Sequence, residues 1–402
     1  MISNLPFAAR IGGSGFEHFE IYKFSHIQEL QRRERRLHPH RKPLDFSIGR
    51  PRETPSPAAI EEMRTSAAIG GNHFYADCGC MSFMEAASHY MDRVFDVSVE
   101  PEVELLPSMG SKNALTYAAL AHLNPGDVLL TTVPGYPILP NFARYLGAEI
   151  FPLPLHEKNG YFPDLTAIPA SVLCRAKMLH LNYPNNPTGA CASLEFFREA
   201  VEFCRKNFLI LLHDAAYAGL WDENCPPRSA LQVPGAMDLT LELHSCSKAH
   251  AMTGWRIGWV CGQRKLVAAY RRIKENCDSG QFLPIQHGAA VALADDAHCR
   301  GAMGRMRRRM EAVESVLALK GFSFAKNHHP FYSYTRAPVR AGEVTFSSGE
   351  DFCAWLMEVH GIFTVPWDEV DRRIRFAMTI PLEPEELTMQ LRDRLDQISF
   401  SF

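Results

Sequence analysis

Lys248 follows the Ser245-Cys246-Ser247 step, and Arg256 comes eight residues later in a stretch punctuated by Gly254 and Gly258. An ordinary exposed lysine is a protonated, solubilising charge. One that sits behind an apolar strand and near a second cation binds its proton less tightly, and its neutral amine attacks an aldehyde to form a Schiff base. Ser245, Ser247 and Arg256 supply donors of the kind that hold a phosphate. Gly110-Ser111-Lys112 is a second candidate, because the free N–H groups and dipole of a helix start favour an anion. Asp214 reads either as a helix-cap or turn aspartate or as a carboxylate paired with a protonated ring nitrogen. Tyr217 and Asn186 are placed to donate to a phenolic oxygen on the same ring, although Asn186-Pro187 is also an ordinary turn pair. Tyr136, after Pro134-Gly135, is either a stacking surface for the ring or a core residue. Arg375 is either a surface ion-pair residue or a fork for bidentate capture of an α-carboxylate.

These groups need a scaffold that brings strand ends together. Apolar runs at 103–109, 128–133, 177–181, 208–212 and 239–243 read as buried strands, and a further run at 259–262 as one more strand, expected to be antiparallel. Several run directly into polar residues, and in open α/β sheets ligands bind beyond the carboxyl ends of strands. Residues 111–122 read as a helix and 124–127 as a turn. The pattern predicts an amphipathic helix over 24–36 and helices at 288–293, 302–320 and 383–398. The expected organisation is a large domain over 49–289 and a smaller one made from 1–48 and 290–402. The cationic run Arg305 to Arg309 reads as a solvated helix face.

With 402 residues the chain is long enough for two cores. Its net charge of −3 gives no electrostatic reason to expect nucleic acid or an anionic membrane as partner. The 11 cysteines show no paired zinc spacing and read as reduced, mostly buried thiols of a cytoplasmic protein. Neither a secretory signal nor an apolar run of membrane-spanning length is apparent.

Taken together, Asn182-Tyr-Pro-Asn-Asn-Pro-Thr-Gly189, His213-Asp-Ala-Ala-Tyr217 and the Ser245–Gly258 stretch resemble the class I/II aminotransferases of the aspartate aminotransferase fold type. The similarity runs from Phe46-Ser-Ile-Gly49 to Arg375. It implies an α/β fold type I: a large, mostly parallel seven-stranded sheet between helices, with a smaller α+β part. It implies pyridoxal 5'-phosphate as cofactor, linked to Lys248 as Schiff base and proton shuttle. Asp214, Tyr217 and Asn186 are then expected on the ring, Gly110, Ser111, Lys112, Ser245, Ser247 and Arg256 around the phosphate, and Tyr136 against the ring. Gly49, Tyr22, Asn186 and Arg375 are expected at the substrate. Tyr75 is expected to reach the phosphate of a second copy in a homodimer with shared sites.

Within the family the chain is most similar to LL-diaminopimelate aminotransferases, through Gly110-Ser-Lys112, Asn182–Ala190, His213–Tyr217 and Tyr22. It departs from them at Ser279-Gly280-Gln281 and in a shorter loop after Tyr75. The implied reaction moves an amino group between an L-amino acid and a 2-oxo acid. A lyase or cyclase on the same cofactor, and a non-catalytic binding module, stay open at this level.

Overall fold

The computed structural model describes residues 7–13, 23–325 and 328–402. Seven strands form the central sheet: β1 (Leu105–Ser108), β2 (Val128–Val133), β3 (Glu149–Pro154), β4 (Ala176–Asn182), β5 (Ile210–Asp214), β6 (Thr240–Ser245) and β7 (Gly258–Gly262). Their spatial order is β1-β7-β6-β5-β4-β2-β3. Only β7 runs against its neighbours; the other pairings are parallel. β6 and β7 are buried at every position, as strands covered on both faces by helices must be. The helix Ser111–His122 starts where Gly110 (φ 78°) turns the chain out of β1, a conformation that glycine adopts without a Cβ penalty.

Outside this sheet, Tyr332–Arg336, Arg373–Ala377 and Val365–Trp367 form a three-stranded antiparallel sheet with Arg373–Ala377 in the middle. The early segment Leu44–Asp45 pairs in parallel with Ile362–Phe363. Ala377 then donates to the Phe46 carbonyl at 2.7 Å, so residues 46–49 run beside the strand that carries Arg375. One hydrophobic cluster joins Leu44 and Phe46 to the helix Asp296–Ala318 and to the C-terminal helix Pro384–Leu395. Three others pack around the central sheet.

Two expectations are corrected here. The run at 305–309 is not a plain solvated face. Arg309 is buried, with Nη1 at 3.2 Å from Glu53, and Arg307 meets Asp222 through Nε at 2.9 Å and the His328 carbonyl through Nη1 at 3.1 Å. The cysteines are not all reduced: Cys191 and Cys225 form a disulfide between the segments that follow Gly189 and Tyr217. Four of the nine free cysteines are exposed or half-buried and five are buried.

Candidate active site

The parallel register sets Asn182, the last residue of β4, beside Asp214, the last residue of β5. Beyond these ends lies a cavity of about 310 Å³. It brings together Gly49, Ser111, Lys112, Tyr136, Asn186, Asp214, Tyr217, Ser247, Lys248, Arg256 and Arg375, all singled out from the sequence. Ser47, Ile48, Asn182, Thr253 and Tyr332 also line it.

Lys248 is partly buried on the short helix Cys246–Ala249, and its Nζ donates to the Gly49 carbonyl at 2.5 Å. Burial, then the positive charges of Arg375 and Arg256, lower its pKa to about 8 against the pull of Asp214. At neutral pH such an amine is neutral roughly two to three hundred times more often than an ordinary lysine. Asp214 is 2% exposed, and burial pushes its carboxyl up to about 6 despite His213, the Ala216 amide and Lys248. Its Oδ1 accepts from Ala216 N at 3.3 Å, and among the described residues no cation lies within ion-pair distance of it. A buried carboxylate so placed fits a positively charged ring nitrogen brought by a ligand.

One end of the cavity suits a phosphate. Gly110 caps the helix Ser111–His122 without any side-chain cap bond, which leaves the first N–H groups directed outward. A Cβ at Gly110 would stand 2.6 Å from Arg256 Nη2, so the guanidinium lies directly over the turn. Arg256 donates to Ser247 Oγ at 3.3 Å and to the Thr253 carbonyl at 2.8 Å, and it holds a left-handed backbone (φ 56°) that costs free energy. Burial and Arg256 lower the pKa of Lys112.

The other end suits a carboxylate. Arg375 is 1% exposed; Nη1 donates to Asn186 Oδ1 and Nη2 to the Ser47 carbonyl, each at 2.7 Å. Its guanidinium stands 4.3 Å from the Tyr332 ring centre. Tyr332 Oη and Tyr217 Oη are 2.8 Å apart, and burial raises the pKa of Tyr217 well above the ordinary value. Gly49 makes room for this pair: a Cβ there would meet Tyr332 Oη at 2.3 Å. Asn182 braces the site by donating to the Asp214 carbonyl at 2.8 Å and accepting the Asn186 amide at 2.9 Å.

Three expected residues stand apart. Ser245 does not line the cavity; its hydroxyl turns back to cap the short helix by accepting Ser247 N at 3.2 Å. Tyr75 is 85% exposed and away from the cavity. Tyr22 lies outside the described residues. Sequence reasoning missed Ser47, Thr253 and Tyr332; Ser47 lies in the Phe46–Gly49 motif and Thr253 in the Ser245–Gly258 stretch, whereas Tyr332 had no local signal. The two regions that depart from the diaminopimelate enzymes touch each other: Ala76 N donates to the Ser279 carbonyl at 3.3 Å.

Residues 41–392 match the family model of aminotransferase class I and II. An LL-diaminopimelate aminotransferase of Methanocaldococcus jannaschii is 39% identical over 378 residues, covering 94% of this chain and 90% of that protein. A substrate-bound BacF structure from Bacillus subtilis superposes with a TM-score of 0.89 at 27% identity, covering 98% and 99% of the two chains. A probable N-succinyldiaminopimelate aminotransferase from Thermus thermophilus gives 0.83 at 28% identity, covering 93% and 100%.

Proposed function

Since this chain belongs to the class I and II aminotransferases, an α/β family of fold type I, we propose that its cavity binds pyridoxal 5'-phosphate and that Lys248 carries the chemistry. When bound, the cofactor supplies an electron sink for the charge left at the substrate Cα after its proton departs. Ser111, Lys112, Ser247 and Arg256 hold its phosphate, with Gly110 shaping the turn. Asp214 pairs with the ring nitrogen; Tyr217 and Asn186 donate to the ring oxygen, and Tyr136 covers a face. Arg375 takes the substrate α-carboxylate with its fork already oriented by Asn186 and Ser47. Nζ of Lys248, neutral often enough near pH 7, removes the Cα proton and returns it on the other side of the transfer. The two half-reactions run in turn, first with an L-amino acid and then with a 2-oxo acid.

The observation that carries this reading is a lysine of depressed pKa on the Gly49 carbonyl, between a buried carboxylate and a buried arginine. The relatives' activity makes LL-diaminopimelate, or a related amino acid, with 2-oxoglutarate the first pair to test. Tyr75 is exposed in the single chain, which suits the reach to a second copy that the family resemblance implies, and we read the working unit as a homodimer with shared sites. Among the described residues no helix is long and apolar enough to cross a membrane, and a cytoplasmic setting fits the free thiols.

The test is a screen of amino donors, including diaminopimelate, aspartate, aromatic and basic amino acids, against 2-oxoglutarate. Glutamate formation that requires added pyridoxal phosphate and a 2-oxo acid is expected. Amino-acid breakdown that proceeds without the 2-oxo acid would replace transfer with elimination.

A further inference from the structure

Consecutive strand residues point to opposite faces, so His213 turns away from the cavity that Asp214 enters. Its ring lies 4.7 Å from that of Phe197 on the helix Leu194–Asn207, with 0% exposure. Nε2 is 2.9 Å from the Tyr183 carbonyl, and Nδ1 is 2.8 Å from Glu242 Oε2. A carbonyl has no proton to give, so Nε2 carries one. Glu242, also at 0% exposure, takes the Ala230 amide at 2.8 Å on Oε2 and Ser229 Oγ and His244 Nε2, both at 2.7 Å, on Oε1. Burial alone would push the Glu242 carboxyl up, but the His213 and His244 donors more than reverse it, leaving it well below the ordinary carboxylate range. The Ala230 amide, the Ser229 hydroxyl and the His244 ring favour the ionised carboxylate without help from His213, so the hydrogen of the fourth contact lies on His213 Nδ1.

We propose that His213 is a positioning residue, a buried imidazolium paired with Glu242, that ties together the strand ends bearing Asn186, Asp214 and Lys248 and keeps the Asp214 carboxyl anionic. The proposal rests on the cofactor reading given above. Through Tyr183 the imidazolium holds the end of β4, where the loop with Asn186 begins; through Glu242 it holds β6, which leads to Lys248. The ion pair is neutral as a whole, but its positive end lies one residue from Asp214 and favours the negative form there.

The other groups facing the pair do not replace this charge. His180 on β4 sits on the opposite sheet face, its Nδ1 2.9 Å from Thr131 Oγ1, and burial lowers it to about 3, so it is neutral. His244 gives its Nε2 proton to Glu242 and stacks on Trp259 at 4.8 Å. Glu242, His244 and Cys261 lie close enough to suggest a metal, but both oxygens of Glu242 are already filled by donors. On the cavity side, Lys248 is the cation that faces Asp214.

The experiment is a pH titration of the visible absorbance of the dimeric, pyridoxal-phosphate-loaded protein, with no substrate present. In His213→Gln the midpoint is expected to move up by roughly one pH unit, because removing a positive charge favours every protonated form nearby. His180→Gln, which deletes a buried but neutral imidazole, is expected to leave the midpoint in place. An unchanged midpoint in His213→Gln, or an equal shift in His180→Gln, overturns the proposal. If His213→Gln does not fold, a neutron diffraction map of the unaltered protein decides: deuterium on both Nδ1 and Nε2 supports the ion pair, and a single ring deuterium refutes it. Failure of the unaltered protein to take up pyridoxal phosphate counts against the cofactor reading instead, and the neutron map still judges the ion pair.

Discussion

The two ends of the cavity use arginine in opposite ways. Arg256 is exposed, lies eight residues from Lys248, and rests on its own neighbourhood through Ser247 and Thr253, with one longer reach to the Met109 carbonyl at 3.3 Å. Arg375 is buried, and the groups that orient it, Asn186 and the Ser47 carbonyl, come from far away in the chain. On the proposed reading, a phosphate that stays bound would be held by many donors, helix N–H groups among them, so no single cation there needs to be rigid. A substrate carboxylate that enters and leaves every cycle gains more from one fork already fixed in its bound orientation. The difference teaches that retention and turnover place different demands on the same side chain.

Lys248 stands between the two ends, and removing it tests both at once. Lys248→Ala is expected to lose at least about a thousand-fold in turnover while still binding the phosphate of the cofactor non-covalently, which absorbance and rapid-mixing kinetics measure. Arg375→Lys is expected to lower kcat/KM for the amino donor by about a hundred-fold and to leave cofactor affinity within a few-fold, because a lysine cannot reproduce the fork. Arg256→Ala is expected to show the reverse, with the cofactor Kd rising about ten-fold and donor KM little changed once cofactor is saturating. If both arginine variants lost cofactor and substrate affinity together, the two ends would not be separable and the comparison would fail.

The smallest expected effect concerns stability without cofactor. The Asp214 carboxyl is raised in the folded chain to about 6, so the folded state binds the proton more tightly than the unfolded one. Its contribution is therefore complete below about pH 4 and is lost as the pH rises through about 6. Asp214→Asn is expected to flatten that slope, making the cofactor-free variant about 3 kcal/mol more stable than the parent at pH 7.5 and only about 1 kcal/mol more stable near pH 4.5, by urea unfolding. Saturating pyridoxal phosphate is expected to erase or reverse the advantage in the parent's favour.

How much of this was legible in the sequence follows the same division. The phosphate end lies in short contiguous motifs, and the helix Ser111–His122 and strand Val128–Val133 appear where apolar spacing and turn residues put them. The strand Glu149–Pro154 was missed because it is an edge strand with two prolines and mostly uncovered side chains, so no apolar run marks it. Arg375 was found through its motif, yet Tyr332, which stacks beneath it, carries no local signal at all. The arginines at 307 and 309 looked like solvent charges because Asp222 and Glu53, their partners, are remote in sequence. Pairing of Cys191 with Cys225 likewise depends on where two loops end up, which spacing alone does not encode.

Position 49 has one more consequence. Its backbone oxygen receives the Lys248 amine, and the space over its Cα is filled by the Tyr332 phenol, which meets both Tyr217 and Arg375. Even one added methyl group would shift that phenol and, through it, two neighbours with separate duties. In a randomised library at this codon, survivors selected for growth without the enzyme's product supplied should keep glycine, although the residue itself contributes no side chain to the chemistry.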